Sequence, residues 1–407
     1  MIVPRPTRVV YVNHTGAVSG AERVLINMVK GLDRSAYEVI AIFPDDGDLG
    51  GMLRAEGVRC VPMPPVKARF DWRPGQLWRA FTSLTRAIVS LRQTLSKIDP
   101  DIVHANTLRA GIVVSVASIG TGRKVAWHIH DRLPRHPFSM LIRIAALLLR
   151  PARIMAVSDS TAKAFCGPFS FQGRVSTIHN GVDLSRFPPK GADKQSLRQP
   201  LGVPSGAFLI CAVGQICARK GLVELVYAFE QASTQAQHMH LVIAGDVVFE
   251  HERGYFNLLR LAASAPQVAG KVHFAGHVPD VSGLLQAADL LVLNSHEEPF
   301  GLVLVEAMSS GTPVLATRVG GIPEIVRDQE NGWLVEKADT AGLAKKLLEL
   351  SQSKALLEQT ARQARSVTCP QFSLERFHSQ LHGFYAELMP HPSQFVGRVE
   401  SVSEGRS

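Results

Sequence analysis

Two glutamates eight positions apart bracket the run Glu298-Pro-Phe-Gly-Leu-Val-Leu-Val-Glu306. The first follows an apolar run ending at Asn294 that reads as a buried strand, and Gly301 and Leu302 open the helix that carries the second. A strand-to-helix junction therefore presents two carboxylates together with the amides of Phe300, Gly301 and Leu302. Arg219 and Lys220, flanked by Gly214 and Gly221, follow another buried-strand run and add cationic donors. The loop Gly16 to Gly20 precedes a helix whose first amides form an anion-friendly end. His130 and Asp131 close a further strand. Cations and free amides hold anions, while carboxylates accept from hydroxyl groups or move protons. Each fragment alone has an ordinary reading: a glutamate pair is common, the glycine loop can be a plain turn, and Arg219 with Lys220 can be a solvated helix cap. A dinucleotide fingerprint, Gly-x-Gly-x-x-Gly, is not the spacing found at Gly16 to Gly20.

The elements that must position these residues alternate regularly. Arg8–Asn13 reads as a strand, the Gly/Ser-rich stretch after it as a loop, and Ala21–Lys30 as a helix. Strands follow at Tyr37–Phe43, Asp101–Ala105, Val125–His130 and Arg153–Ser158, with a helix over Leu77–Leu95. A Pro/Gly/Lys-rich stretch then has linker composition, after which the alternation restarts at Phe208–Val213, His240–Ala244, Val272–Phe274, Leu290–Asn294 and Pro313–Thr317. The reading is α/β, two doubly wound Rossmann-like domains facing a cleft: residues 1–185, a linker at 186–206, a second domain at 207–370, a C-terminal helix at 371–390 packing back on the first domain, and a flexible tail at 391–407. Ligands of open parallel sheets bind at the carboxyl ends of the strands, so the cleft is the expected site.

The stretch from Glu298 through Ala307-Met-Ser-Ser-Gly-Thr-Pro-Val-Leu-Ala-Thr317 to Gly320-Gly-Ile-Pro-Glu324 resembles the retaining, nucleotide-sugar-dependent glycosyltransferases of family GT4, which have the GT-B fold. The Gly16 to Glu22 loop, Pro100–Ala105, His130-Asp131, Ile178–Asp183, Val213–Gly221 and Ile243–Asp246 agree with it, so the resemblance spans roughly residues 8 to 385. It implies a metal-independent glycosyltransferase without cofactor, in which the second domain holds a nucleotide-sugar and the first an acceptor. By that resemblance Lys220 and Arg219 would hold the diphosphate, aided by the Gly16 to Gly20 amides. Glu306 would accept from the ribose hydroxyls, and Glu298 would contact the transferred sugar with the amides of Phe300, Gly301 and Leu302. His130, beside Asp131, would sit near the reacting centre. The sequence departs from the family at Gln215, where an Arg is usual, and at Gly245-Asp246-Val247, where Gly-Asp-Gly is usual. An amide cannot pair with phosphate as a guanidinium does.

At 407 residues, 46% hydrophobic and 19% charged, the chain excludes global disorder, collagen and coiled coil. Five scattered cysteines point to a reducing compartment, and the start lacks a secretory pattern, so a cytoplasmic location is expected. The longest apolar tract, residues 138–149, is too short to span a bilayer and contains Arg143. The net charge of +9 is uneven: residues 1–185 hold 24 Lys/Arg against 13 Asp/Glu, and the remainder 20 against 22. The arginine-rich, apolar tract Arg123–Arg153 suggests peripheral contact with an anionic membrane, which suits a glycan or lipid-linked acceptor and surface polysaccharide synthesis; a core-facing helix with solvated arginines is the plain alternative. Nucleic acid is not expected, since aromatics do not interleave with the arginines. His128 and His130 alternate on one strand without a third metal ligand nearby, and Asp46-Gly-Asp48 and Asp99-Pro-Asp101 read as turn decoys of a metal motif. A silent nucleotide-sugar-binding partner and an epimerase- or phosphorylase-like enzyme of the same fold remain the alternatives.

Overall fold

A computed structural model describes residues 5–66, 74–133, 136–189, 191 and 194–389. The expected tail at 391–407 and Arg135 of the basic tract lie outside the described residues. Two parallel sheets form. The first comprises β1 (Thr7–Val12), β2 (Tyr37–Phe43), β3 (Arg59–Pro62), β4 (Ile102–Ala105), β5 (Lys124–Ile129), β6 (Arg153–Ala156) and β7 (Val175–Thr177), in the order β3-β2-β1-β4-β5-β6-β7. The second comprises β8 (Phe208–Val213), β9 (Met239–Ala244), β10 (Val272–Gly276), β11 (Leu290–Leu293), β12 (Val314–Thr317) and β13 (Trp333–Val335), in the order β10-β9-β8-β11-β12-β13.

Central strands such as β1 and β11 are buried on both faces, which is why they read as unbroken apolar runs and not as alternating ones. Strand order reverses between β1 and β4 in one sheet and between β8 and β11 in the other. The loops after those four strands open where ligands of such sheets bind.

The segment 186–206 is less loose than its composition suggests. Arg198, on the short helix Lys194–Arg198, is buried and donates to the carbonyls of Ala207 and Ala287 and to Asp289, which also receives Lys194. A fully donating guanidinium beside a carboxylate folds this stretch onto the second sheet, a reach that residue composition does not reveal. At its other end the chain returns: the Val182 amide donates to the Phe372 carbonyl and the Leu374 amide to the Val182 carbonyl, and the helix Leu374–Leu388 buries Phe377, Leu381, Phe384 and Tyr385 among residues of β1, β2 and the helix Gly20–Lys30.

Candidate active site

On the second-domain side, Lys220 ends the turn after β8 and Glu298 lies in the loop after β11. Lys220 Nζ donates to Glu298 Oε2 at 2.6 Å, and Ser295 Oγ donates to the same oxygen at 3.2 Å. The two charged side chains are only 17% and 12% exposed, so each depends on the other for compensation. Asn294 Nδ2 donates to the Gly221 carbonyl at 2.8 Å and ties the two loops together. Gly320, at φ +56°, lies so close to Glu298 that any side chain would run into the Glu298 carbonyl, while the Gly321 amide donates to that carbonyl at 2.9 Å. The backbone amides of Phe300, Gly301 and Leu302 donate to no protein acceptor among the described residues.

Glu306 sits on the helix Leu302–Ser309, and among the described residues its carboxyl accepts no hydrogen bond. Burial pushes its pKa up to about 7, against a weaker downward pull from Arg23 and Arg186. An unpartnered, poorly solvated carboxyl facing the first domain's Arg23 is prepared for hydroxyl donors. Gln215 is half-buried and Arg219 exposed, and neither side chain has a partner among the described residues, so neither is engaged elsewhere. Gln215→Arg is therefore expected to tighten nucleoside diphosphate binding about tenfold by adding a charge-assisted donor. An unchanged affinity in a calorimetric titration would show that position 215 does not reach the diphosphate.

On the first-domain side, His130 follows β5 and Asn106 follows β4. His130 Nε2 lies 3.3 Å from Asn106 Oδ1. Since that oxygen only accepts, Nε2 carries the proton and Nδ1 remains an acceptor. Asn106 donates in turn to Asn13 Oδ1 at 3.2 Å, and Asn13 donates to the buried Glu22 at 2.9 Å. Beneath His130, with ring centroids 3.8 Å apart, lies His128, and His104 packs edge-on to it at 5.4 Å. Burial drives His130 and His104 down to about 3 and His128 well below the ordinary histidine range. All three are neutral imidazoles at physiological pH, so His130 can contact hydroxyl groups but does not neutralise phosphate.

Two expected residues are placed differently. Asp131 is exposed and makes no hydrogen bond or ion pair among the described residues, so it does not orient His130; Asn106 does. The Gly16 amide is already used by Asp46, whose Asp-Gly-Asp stretch packs against the loop, and the Ala17 and Ser19 amides go to Thr15 and Glu22. These loop amides are internally satisfied because the turn after β2 folds over them, a contact between segments remote in sequence. Gly20 at the helix start is open. Asn13, Asn106 and the Ser158–Pro299 contact escaped sequence reasoning, although Asn106 directly follows a recognised strand. Ser158 Oγ donates to the Pro299 carbonyl at 2.7 Å and brings the first domain against the loop after β11. Among the described residues no group of three His, Cys, Asp or Glu side chains is placed to hold a metal ion.

Two Rossmann-like domains closing on a cleft at their switch points constitute a GT-B fold. Anabaena HepE, solved in complex with UDP and glucose, superposes with a TM-score of 0.81 at 25% identity, covering 93% of this chain and 99% of that one. The family described as Glycosyltransferase Family 4 matches residues 18–186, and that described as Glycosyl transferases group 1 matches residues 193–367. A D-inositol 3-phosphate glycosyltransferase of Salinispora tropica is 33% identical over 83% of this chain and 67% of its own length. The chain belongs to the group 1, GT4-type glycosyltransferase family. An N-acetyl-alpha-D-glucosaminyl L-malate synthase of Bacillus anthracis is 29% identical over 53% of this chain and 54% of its own. The aligned region spans about half the length of several such curated relatives.

Proposed function

We propose that the protein is a retaining glycosyltransferase that moves a sugar from a nucleotide-sugar held by the second domain to a glycan or lipid-linked acceptor on the first, in surface polysaccharide synthesis. The observation that carries this reading is the Lys220–Glu298 pair at 2.6 Å, with the unpartnered Glu306 on the adjoining helix. A diphosphate draws Lys220 away from Glu298 and frees that carboxylate for sugar hydroxyls. Glu306 receives the ribose diol, and neutral His130 Nδ1 offers an acceptor on the opposite wall. The acceptor attacks the face from which the diphosphate leaves, and a leaving phosphate oxygen takes its proton; Lys220 stabilises the charge that develops, while the free amides at Phe300–Leu302 hold the transferred sugar together with Glu298. These protein cations and dipoles serve without a metal ion or cofactor. The test is a panel of UDP-, GDP- and ADP-sugars without acceptor or added metal, read by thermal stabilisation and slow donor hydrolysis. Stabilisation with hydrolysis by one donor supports the transferase; stabilisation without hydrolysis supports a silent binding partner instead.

The acceptor side includes a surface suited to an anionic bilayer. The helix Pro137–Leu149 leaves Met140 42%, Leu141 60%, Ile144 39% and Leu148 77% exposed along one face. Across residues 102–158 there are eight Lys/Arg and one Asp/Glu. Arg143 is not among the available charges: it is buried and donates to the Phe165 and Ala164 carbonyls. No helix among the described residues is long and apolar enough to cross a membrane. We propose that the protein works on the cytoplasmic side, and the exposed apolar face with the surrounding arginines supports peripheral contact with the lipid. Replacing Leu141 and Leu148 together by Glu is expected to reduce binding to phosphatidylglycerol vesicles at least about tenfold, from lost apolar burial and added repulsion. Wild-type protein that does not sediment with those vesicles at low salt would overturn the contact.

A further inference from the structure

Glu324 has no role in the scheme above, yet its surroundings are specific. It lies on the short helix Ile322–Ile325 of the second domain, and its carboxylate reaches the first domain. There it accepts the amides of Asp159 and Ser160 at 2.8 Å each and His179 Nε2 at 2.8 Å. The two amides open the helix Asp159–Cys166, whose cap, Ser158, accepts from the Thr161 amide at 3.0 Å and donates to the Pro299 carbonyl. His179 stacks on Phe300 with centroids 5.7 Å apart. Pro299 and Phe300 are the two residues after Glu298, and the turn carrying Glu324 grips the Glu298 carbonyl through Gly320 and Gly321. A side chain at Gly321 would meet the Pro299 carbonyl and crowd Ser158.

We infer that Glu324 is a positioning residue: its clasp on the helix Asp159–Cys166 and His179 registers closure of the two domains and fixes the loop that presents Glu298 and the Phe300–Leu302 amides. The clasp and the loop share a single turn, so a first-domain element holds both sides of that turn at once. A carboxylate satisfies two amides and an imidazole N–H with its two oxygens, whereas an amide side chain has one oxygen and turns its NH₂ towards a helix N-terminus that favours negative charge. Glu324→Gln therefore keeps shape and volume but weakens the clasp. The inference rests on the donor-side reading of Glu298 only for its catalytic consequence, and the experiment separates the two.

Hydrogen–deuterium exchange on the full chain, with and without UDP as the probe, tests it. Glu324→Gln is expected to speed exchange at the Asp159 and Ser160 amides about tenfold, the loss of roughly one charge-assisted bond, and to speed exchange as well at the Gly321 and Leu304 amides, which donate to the Glu298 and Gly301 carbonyls and so report on the loop 299–302. Ser158→Ala, which leaves Glu324 in place, is expected to loosen 299–302 in the same way. The affinity for UDP, for which we propose Lys220 and Glu306 as contacts, is expected to change less than about twofold, while turnover of whichever donor the panel selects falls at an unchanged donor KM. Faster exchange confined to residues 159–161 in both variants would make Glu324 a local helix cap and overturn the inference. Loosening of 299–302 without loss of turnover would retain the clasp and remove the catalytic reading of Glu298 instead. Should Glu324→Gln fail to fold, Ser158→Ala decides alone, and an unaltered 299–302 in that variant also overturns the inference.

Discussion

Lys220→Ala is expected to lower donor turnover about 10²–10³-fold, the loss typical of one charged or preorganised donor at a site of developing negative charge. The same substitution leaves Glu298, 12% exposed, without its cation. An uncompensated, mostly buried carboxylate destabilises by about 3–5 kcal/mol. The two effects are separable, because Glu298→Gln added to Lys220→Ala removes the orphaned charge. The double variant is expected to recover most of the lost melting temperature while turnover stays low. Recovery of turnover along with stability would mean that Lys220 serves the fold and not the diphosphate.

Glu306 supplies the second large effect, and its sign follows from its environment. Its carboxyl is raised from an ordinary 4.5 to about 7 in the free protein. Its contribution to stability is therefore fully present below pH 4.5 and is lost as pH rises through about 7. A ribose diol donates to the ionised form, so binding must first remove the proton when the pH is below about 7. Affinity for the donor selected by the panel is expected to fall about tenfold from pH 8 to pH 6 through this group. Glu306→Gln is expected to flatten that slope and to bind about 10–100-fold more weakly at pH 8, from lost charged hydrogen bonds. A slope that survives in the Gln variant would assign the titration to another group.

The sequence made the central strands legible because strands buried on both faces are continuous apolar runs; Tyr37–Phe43 and Phe208–Val213 coincide with β2 and β8. Of the edge strands, β10 was legible as Val272–Phe274, but the other three were not. Arg59–Pro62, Val175–Thr177 and Trp333–Val335 are three or four residues long and take their conformation from a neighbour, so neither length nor periodicity distinguishes them from loop. At the site, the residues of the Glu298–Glu324 run and Lys220 were readable because their spacing is local to one loop and its helix. Asn106 beneath the His130 hydrogen bond, Asp46 on the Gly16 amide and the cross-domain reach of Glu324 join segments between 24 and 165 positions apart, and no local pattern encodes such pairs. The inward turn of Arg143 was hidden for the same reason: its acceptors are carbonyls on the following helix.

The helix Leu374–Leu388 places Tyr385 against β1, where its hydroxyl bonds Tyr11 at 2.7 Å and His104 at 2.9 Å. The hydrophobic wall of β1 is thus closed by a helix that comes after the whole second sheet in chain order. During synthesis the first sheet waits with an open apolar flank while the whole second sheet is translated and folded. The first sheet is in this way finished only by residues that lie beyond the second, and a chain cut before residue 374 leaves Val9, Tyr11 and Leu25 without that cover.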